Sequence, residues 1–120
     1  MPVRRRWQLM HAGDVVWLDF GVPAGSEPGF ERPAVIVTAD AVVAHKPRTI
    51  HVVPLTTNIE RGLPTEVIVT ATGLGEPSAA QCHLCTVVSV TRLGEVDLGN
   101  IGPVSLAQLR SVLADLLDTG

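Results

Sequence analysis

The sequence predicts a mainly β fold, a small barrel finished by one carboxy-terminal helix. Three observations carry that prediction. Val, Ile and Thr far outnumber Leu up to residue 100, and such branched side chains suit a pleated, half-buried surface. Gly and Pro recur at short intervals, so the strands they bound are short. Near the end of the chain the leucines change to helical spacing. A chain of 120 residues has room for one core. Several short strands around one core curl into a closed or partly closed barrel rather than leave long edges exposed.

Strands are expected over residues 14–19, 33–38, 49–55, 66–71 and 79–91, the last long enough to bend into two. Turn signals at 23–28, Pro47, 61–64 and 73–77 separate them. Ser105 reads as the N-cap of the helix, with Gln108 completing a capping box and Val104 and Leu109 forming a hydrophobic staple. Leu106, Leu109, Leu113, Leu116 and Leu117 make the stripe that covers the barrel, and Gly120 stands where the helix should end. Residues 1–12 read as a flexible basic tail and 13–120 as a single domain.

Composition narrows the function. Hydrophobic residues make up 46% of the chain and charged ones 18%, which sets it apart from disordered sequences. Arg4, Arg5 and Arg6 hold three of the nine basic residues, leaving six against twelve acids in the body. A polyanion gripped by a global positive field is thereby excluded, and nucleic acid would have to be held by a local arrangement. The longest apolar runs, such as Val15 to Leu18, are four residues, far short of the roughly 18 that span a bilayer. Trp7 to Met10 is too short for the apolar core of a signal peptide. A cytoplasmic protein without membrane contact is expected.

Cys82 and Cys85 fall in a predicted strand, about 10 Å apart at roughly 3.3 Å per residue, too far for a disulfide. Free thiols are expected. Alternation puts Cys82 on one face and His83 with Cys85 on the other, and no second cysteine pair completes a zinc site. Cys82 is assigned to the core and His83 to a groove, with no metal and no cofactor. His11, His45 and His51 lack partners at a recognisable spacing and read as ordinary surface or strand residues. No Gly-rich phosphate loop precedes a helix and no nucleophile elbow is present, so nucleotide-dependent enzymes and α/β-hydrolases are excluded.

Two polar stretches remain. In the loop from Gly25 to Pro33, the proline forces an extended backbone on Arg32. Its guanidinium either forms a solvated bridge with Glu27 or Glu31 or is a preset phosphate ligand. The Thr56-Thr57-Asn58 run at a strand end either forms a turn or offers hydroxyls to a phosphoryl oxygen.

Gly13-Asp14-Val15-Val16-Trp17-Leu18-Asp19, Gly25-Ser26-Glu27, Arg32-Pro33-Ala34-Val35-Ile36-Val37, Val52-Val53-Pro54-Leu55-Thr56, Leu63-Pro64-Thr65-Glu66-Val67, Gly73-Leu74, Cys82 and Arg92-Leu93 occur in that order before the terminal helix. The ordered set resembles the PemK/MazF family of toxins from bacterial toxin-antitoxin pairs over nearly the whole chain from Gly13. The resemblance implies an SH3-like β-barrel, of the class that also includes CcdB-like toxins, assembled as a homodimer. It implies a metal-independent, sequence-selective endoribonuclease that cuts single-stranded RNA, messenger RNA above all and in some members tRNA or rRNA. Cleavage would leave 2′,3′-cyclic phosphate and 5′-hydroxyl ends and stop translation and growth, and a cognate antitoxin would silence it. Arg32 matches the catalytic arginine and Thr56 the catalytic threonine.

This chain departs from the family after the matching cysteine. His83 and Thr86 stand where the family commonly has a carboxylate and an arginine. His83, with an ordinary pKa of about 6.5, is read as a substitute base. Ser26, Glu27, Arg48 and Arg61 are read as RNA contacts, and Phe30 as either a base-stacking residue or the anchor of a lid. The alternative within the same barrel class is a toxin that cuts no RNA and binds a protein such as DNA gyrase, with residues 118–120 dominating. A generic SH3-like interaction module would need an aromatic groove, and Trp7, Trp17, Phe20 and Phe30 are the only aromatics.

Overall fold

A computed structural model of the chain describes residues 10–26 and 29–119. Arg4 to Arg6, Glu27 and Gly120, on which expectations rested, lie outside the described residues. The elements are β1 (Asp14–Asp19), β2 (Glu31–Ile36), α1 (Asp40–Val43), β3 (Thr49–Thr56), β4 (Glu66–Val69), β5 (Ser78–Gln81), β6 (Thr86–Ser89), β7 (Leu93–Asn100) and α2 (Gly102–Leu116). They form one curled antiparallel sheet in the order β4-β5-β3-β2-β1-β7, with β6 also on β3. This half-barrel with a terminal helix agrees with the mainly β expectation.

The central strands are apolar on both faces, so β2 and β3 read as runs of Val, Ile and Ala rather than as strict alternation. Leu18, Ala34, Ile36, Ile50 and Val52 form one core layer with Met10, Val43, Val88, Val90 and Leu93. Val15, Val35, Val53, Leu55, Val69, Ala80 and Cys82 form the opposite layer, which α2 covers. Leu109 is fully buried there, a burial that favours folding by about 1.5–3 kcal/mol. Leu106, Val112 and Leu113 pack beside it. Leu116 and Leu117 are exposed, so the predicted stripe covers the sheet only through Leu113.

β3 changes partner along its length. Thr49 to Val52 pair with β6, and Leu55 and Thr56 pair with β5. Pro54 falls at the changeover, where a missing N–H costs little.

The run 79–91 divides into two strands as expected, with a 3-10 turn at Cys82–Leu84 between β5 and β6 and a second over Val90–Arg92. Three expectations need correction. Strand alternation therefore does not apply at Cys82, and both thiols face the same apolar layer. They are free. β7 was not among the expected strands, and its glycines mark close approaches: a side chain at Gly94 would meet the Trp17 carbonyl at 3.1 Å.

Helix α2 begins at Gly102, three residues before the predicted Ser105 cap. Pro103 fits the first turn, where no N–H bond is needed. The Asn100 Oδ1 accepts from Gly102 N at 2.7 Å, and Asn100 Nδ2 donates to the Ala12 carbonyl and Asp14 Oδ1. The helix is capped at Leu117, and Asp118 just beyond it lies in the left-handed region at φ 56. There Thr119 N donates to the Ala114 carbonyl and Asp118 N to that of Asp115, a Schellman closure that Asp tolerates.

Candidate active site

The β2–β3 ladder runs Ile36↔Val52, Val35↔Val53, Ala34↔Pro54. Continuing that register by two residues sets Arg32 opposite Thr56. The side chain of Arg32 then crosses the end of β3. Its Nη2 donates to the Leu55 carbonyl and to Gln81 Oε1, both at 2.8 Å, and its Nε donates to the same carbonyl at 3.2 Å. The proline after it fixes the backbone, and these bonds fix the head. Gln81 is itself buried, so the grip comes from the sheet rather than from a mobile loop.

The Arg32–Glu31 bridge does not form, and Glu27 lies outside the described residues. Glu31 instead accepts from Trp17 Nε1 at 3.4 Å. Burial holds the Arg32 pKa below its ordinary value, and the nearby Arg61 guanidinium adds to the effect. The group remains a cation at neutral pH, partly desolvated and without a carboxylate partner among the described residues, and that combination raises its attraction for an incoming anion.

Arg32 opens into a cleft of about 580 Å³ at the strand ends, shared with Pro33, Leu55, Thr56, Thr57, Leu74, Gly75, Glu76 and Ser78. Thr56 Oγ1 accepts from Asn58 N at 3.2 Å, so its hydrogen is free to point outward. The turn reading of the Thr-Thr-Asn run is thus realised, and Thr56 and Thr57 also line the cleft. A guanidinium and two threonine hydroxyls facing one cavity can bind a phosphodiester and stabilise negative charge as it builds on phosphorus.

The structure places the other predicted residues less closely. Arg61 is near enough to act on Arg32 and is paired at 2.6 Å with Glu66, whose side chain is 2% exposed. His83 is exposed on the 3-10 turn, its Nδ1 at 2.9 Å from Thr65 Oγ1, and is not part of the cleft wall. Among the described residues no group of three or more His, Cys, Asp or Glu side chains gathers. Ser26 is exposed in the β1–β2 loop. Phe30 is exposed at φ 60 at the neck of that loop, where its N–H and carbonyl bond to Gly21 and Phe20. Arg48 precedes the far end of the eight-residue β3, roughly 25 Å from Thr56 at about 3.3 Å per residue.

Sequence reasoning missed Gln81 and the 74–78 segment. A lone polar residue after Ser78-Ala79-Ala80 was the available signal for Gln81. Glu76 and Ser78 gave none, because they reach the cleft only through the curl of the sheet.

The chain is similar to known proteins in both sequence and fold. Residues 11–117 match the family described as PemK-like, MazF-like toxin of type II toxin-antitoxin system. The chain is similar to the endoribonuclease MazF9 of Mycobacterium tuberculosis, at 34% identity over 92% of this chain and 98% of that protein. Among solved structures it is similar to MazF from Deinococcus radiodurans, with a TM-score of 0.77, 28% identity and coverage of 91% and 96% of the two chains. A MazE-MazF structure from the same organism matches at a TM-score of 0.68 and 26% identity, again covering 91% and 96%.

Proposed function

The chain belongs to the PemK-like, MazF-like toxins of type II toxin-antitoxin systems and is an endoribonuclease, and we propose that Arg32 and Thr56 form its cleavage site for single-stranded RNA. The observation that carries this reading is the guanidinium held by Leu55 and Gln81, without a carboxylate partner among the described residues, beside Thr56 in an open cleft.

In the reaction the 2′-hydroxyl oxygen of one ribose attacks the adjacent phosphorus. The bond from phosphorus to the 5′-oxygen of the next nucleotide breaks, and that oxygen takes up a proton. The products are a 2′,3′-cyclic phosphate and a 5′-hydroxyl, and no ion is required. Arg32 meets the charge on the non-bridging oxygens, and Thr56 donates to the same group. Arg32 does not serve as the base, since its pKa lies far above neutrality. Proton transfer falls to water or to His83, and the pH profile distinguishes them. A limb of the pH profile that disappears in His83→Ala assigns the histidine, and an unchanged profile removes it.

An antitoxin is the partner of the chain. The homodimer and the choice among RNA classes belong to the same proposal. The test is cleavage of a single-stranded RNA library by purified protein in EDTA, with the ends of the products sequenced. Cyclic phosphate ends that vanish with Arg32→Ala are expected. Intact RNA, or an absolute requirement for a divalent ion, overturns the mechanism.

A further inference from the structure

The cleft is larger than a phosphate needs, and its lining is chemically mixed. Arg32, Thr56 and Thr57 suit a phosphate. Pro33, Leu55 and Leu74 add apolar walls, and Glu76 and Ser78 line the same cleft. A phosphate gains nothing from apolar walls and is repelled by a carboxylate. A nucleobase has two apolar faces and a polar edge, and suits such a place.

Ser78 is 2% exposed, and its hydroxyl makes no hydrogen bond among the described residues. A buried hydroxyl without a partner is unusual, and one on a cleft wall implies that a ligand completes it. Glu76 is exposed and likewise makes no ion pair or hydrogen bond among the described residues. An ionised carboxylate can only accept, so its counterpart must offer N–H or O–H groups.

The backbone that carries these groups is set in place. Gly73 N donates to the Leu98 carbonyl at 2.9 Å. A side chain on Gly73 would come within 2.5 Å of Leu98 Cα, and one on Gly99 within 2.5 Å of Thr72 Oγ1. Two glycines thus let residues 71–75 lie directly on β7, and Leu74 packs against the core from there.

We propose that Glu76 and Ser78 form a base-reading subsite, which accepts one nucleotide flanking the phosphate held by Arg32 and recognises the N–H donors on its edge. The inference rests on the assignment of the cleft as the cleavage site. Pro33, Leu55 and Leu74 enclose the base, Glu76 accepts from its edge, and the Ser78 hydroxyl satisfies a neighbouring donor or acceptor. Sequence selectivity at one position then arises within a single chain.

The experiment is cleavage of a randomised single-stranded RNA library by wild type, Glu76→Gln and Ser78→Ala, read by sequencing product ends, with melting temperatures recorded alongside. Glu76→Gln replaces an acceptor by a group that also donates. It should weaken or change the base preference at one position next to the cut by about tenfold, leaving the other positions as in wild type. Ser78→Ala should blunt the same position without lowering the melting temperature, because it removes a hydroxyl that supports nothing in the free protein. If wild type cuts and both variants keep its motif, or lose rate equally on every sequence, the subsite is overturned while the cleavage assignment stands. If wild type leaves the library intact, the cleavage assignment itself fails.

Discussion

Two arginines in this molecule open onto hollows lined by hydroxyls, and the two are held very differently. Arg32 shares its cleft with Thr56, Thr57 and Ser78. Arg92 shares a smaller hollow of about 240 Å³ with Thr86, Ser89, Phe20 and Val22. By residue type the two look alike. Arg32 is half-buried and held by three hydrogen bonds to a backbone carbonyl and a buried amide. Arg92 is exposed and makes one bond of 3.3 Å to the Asp19 carbonyl. The hydroxyls differ in the same way: Ser89 and Thr91 satisfy each other at 2.8 Å, whereas Ser78 has no partner among the described residues. A cation contributes to a transition state when its position is fixed and its charge unscreened before the substrate arrives.

That contrast can be broken or sharpened by substitution. The largest effect is expected from Arg32→Ala, a loss of about a hundredfold or more in cleavage rate, while Arg92→Ala stays near wild type in the same oligonucleotide assay. Equal losses would make the grip on Arg32 irrelevant. Next comes Gln81→Glu, which keeps a partner for Arg32 but neutralises it. The rate should fall roughly ten- to a hundredfold with no loss of melting temperature, because a charge-assisted bond replaces a neutral one. Thr56→Val should cost about tenfold in kcat, the value of one hydrogen bond to a charged group.

The smallest effect concerns the layer beneath the site. Burial, with Cys85 close by, raises the Cys82 thiol pKa to about 11. The unfolded chain ionises this thiol near its ordinary value of roughly 8.5, the folded chain only near 11, so the unfolded state gives up its proton first. The contribution to stability is complete below the lower value and is lost as pH rises through the upper one. Chemical denaturation at stepped alkaline pH should show this decline, and Cys82→Ala should flatten it.

Much of the site could be read from the chain because its key constraint is local. Arg32 sits before a proline, and Thr56 closes an apolar strand, so each announces itself within a few residues. Gln81, Glu76 and Ser78 could not be assigned in this way. Their role depends on β5 lying beside β3 and on residues 71–75 lying against β7, contacts between segments distant in sequence. The same reason explains the fold. Strands with dense Val and Ile were legible, and β7 was not, because its glycines serve neighbours that only the folded sheet supplies. The missed helix start is a third case: the Asn100 side chain accepts from Gly102 N, and Pro103, compatible with the first turn, lets the helix begin at Gly102, ahead of the Ser105 box.

Pro33 and Pro54 lie on facing strands, one residue apart in register. Neither can donate to a ladder. If β2 slid along β3 by one position, a ring would land where an amide proton is required, and every branched side chain would turn to the wrong layer. The two imino acids thus act as an alignment key: mispaired chains are penalised during folding, and those that reach the native sheet have their guanidinium already facing the threonine.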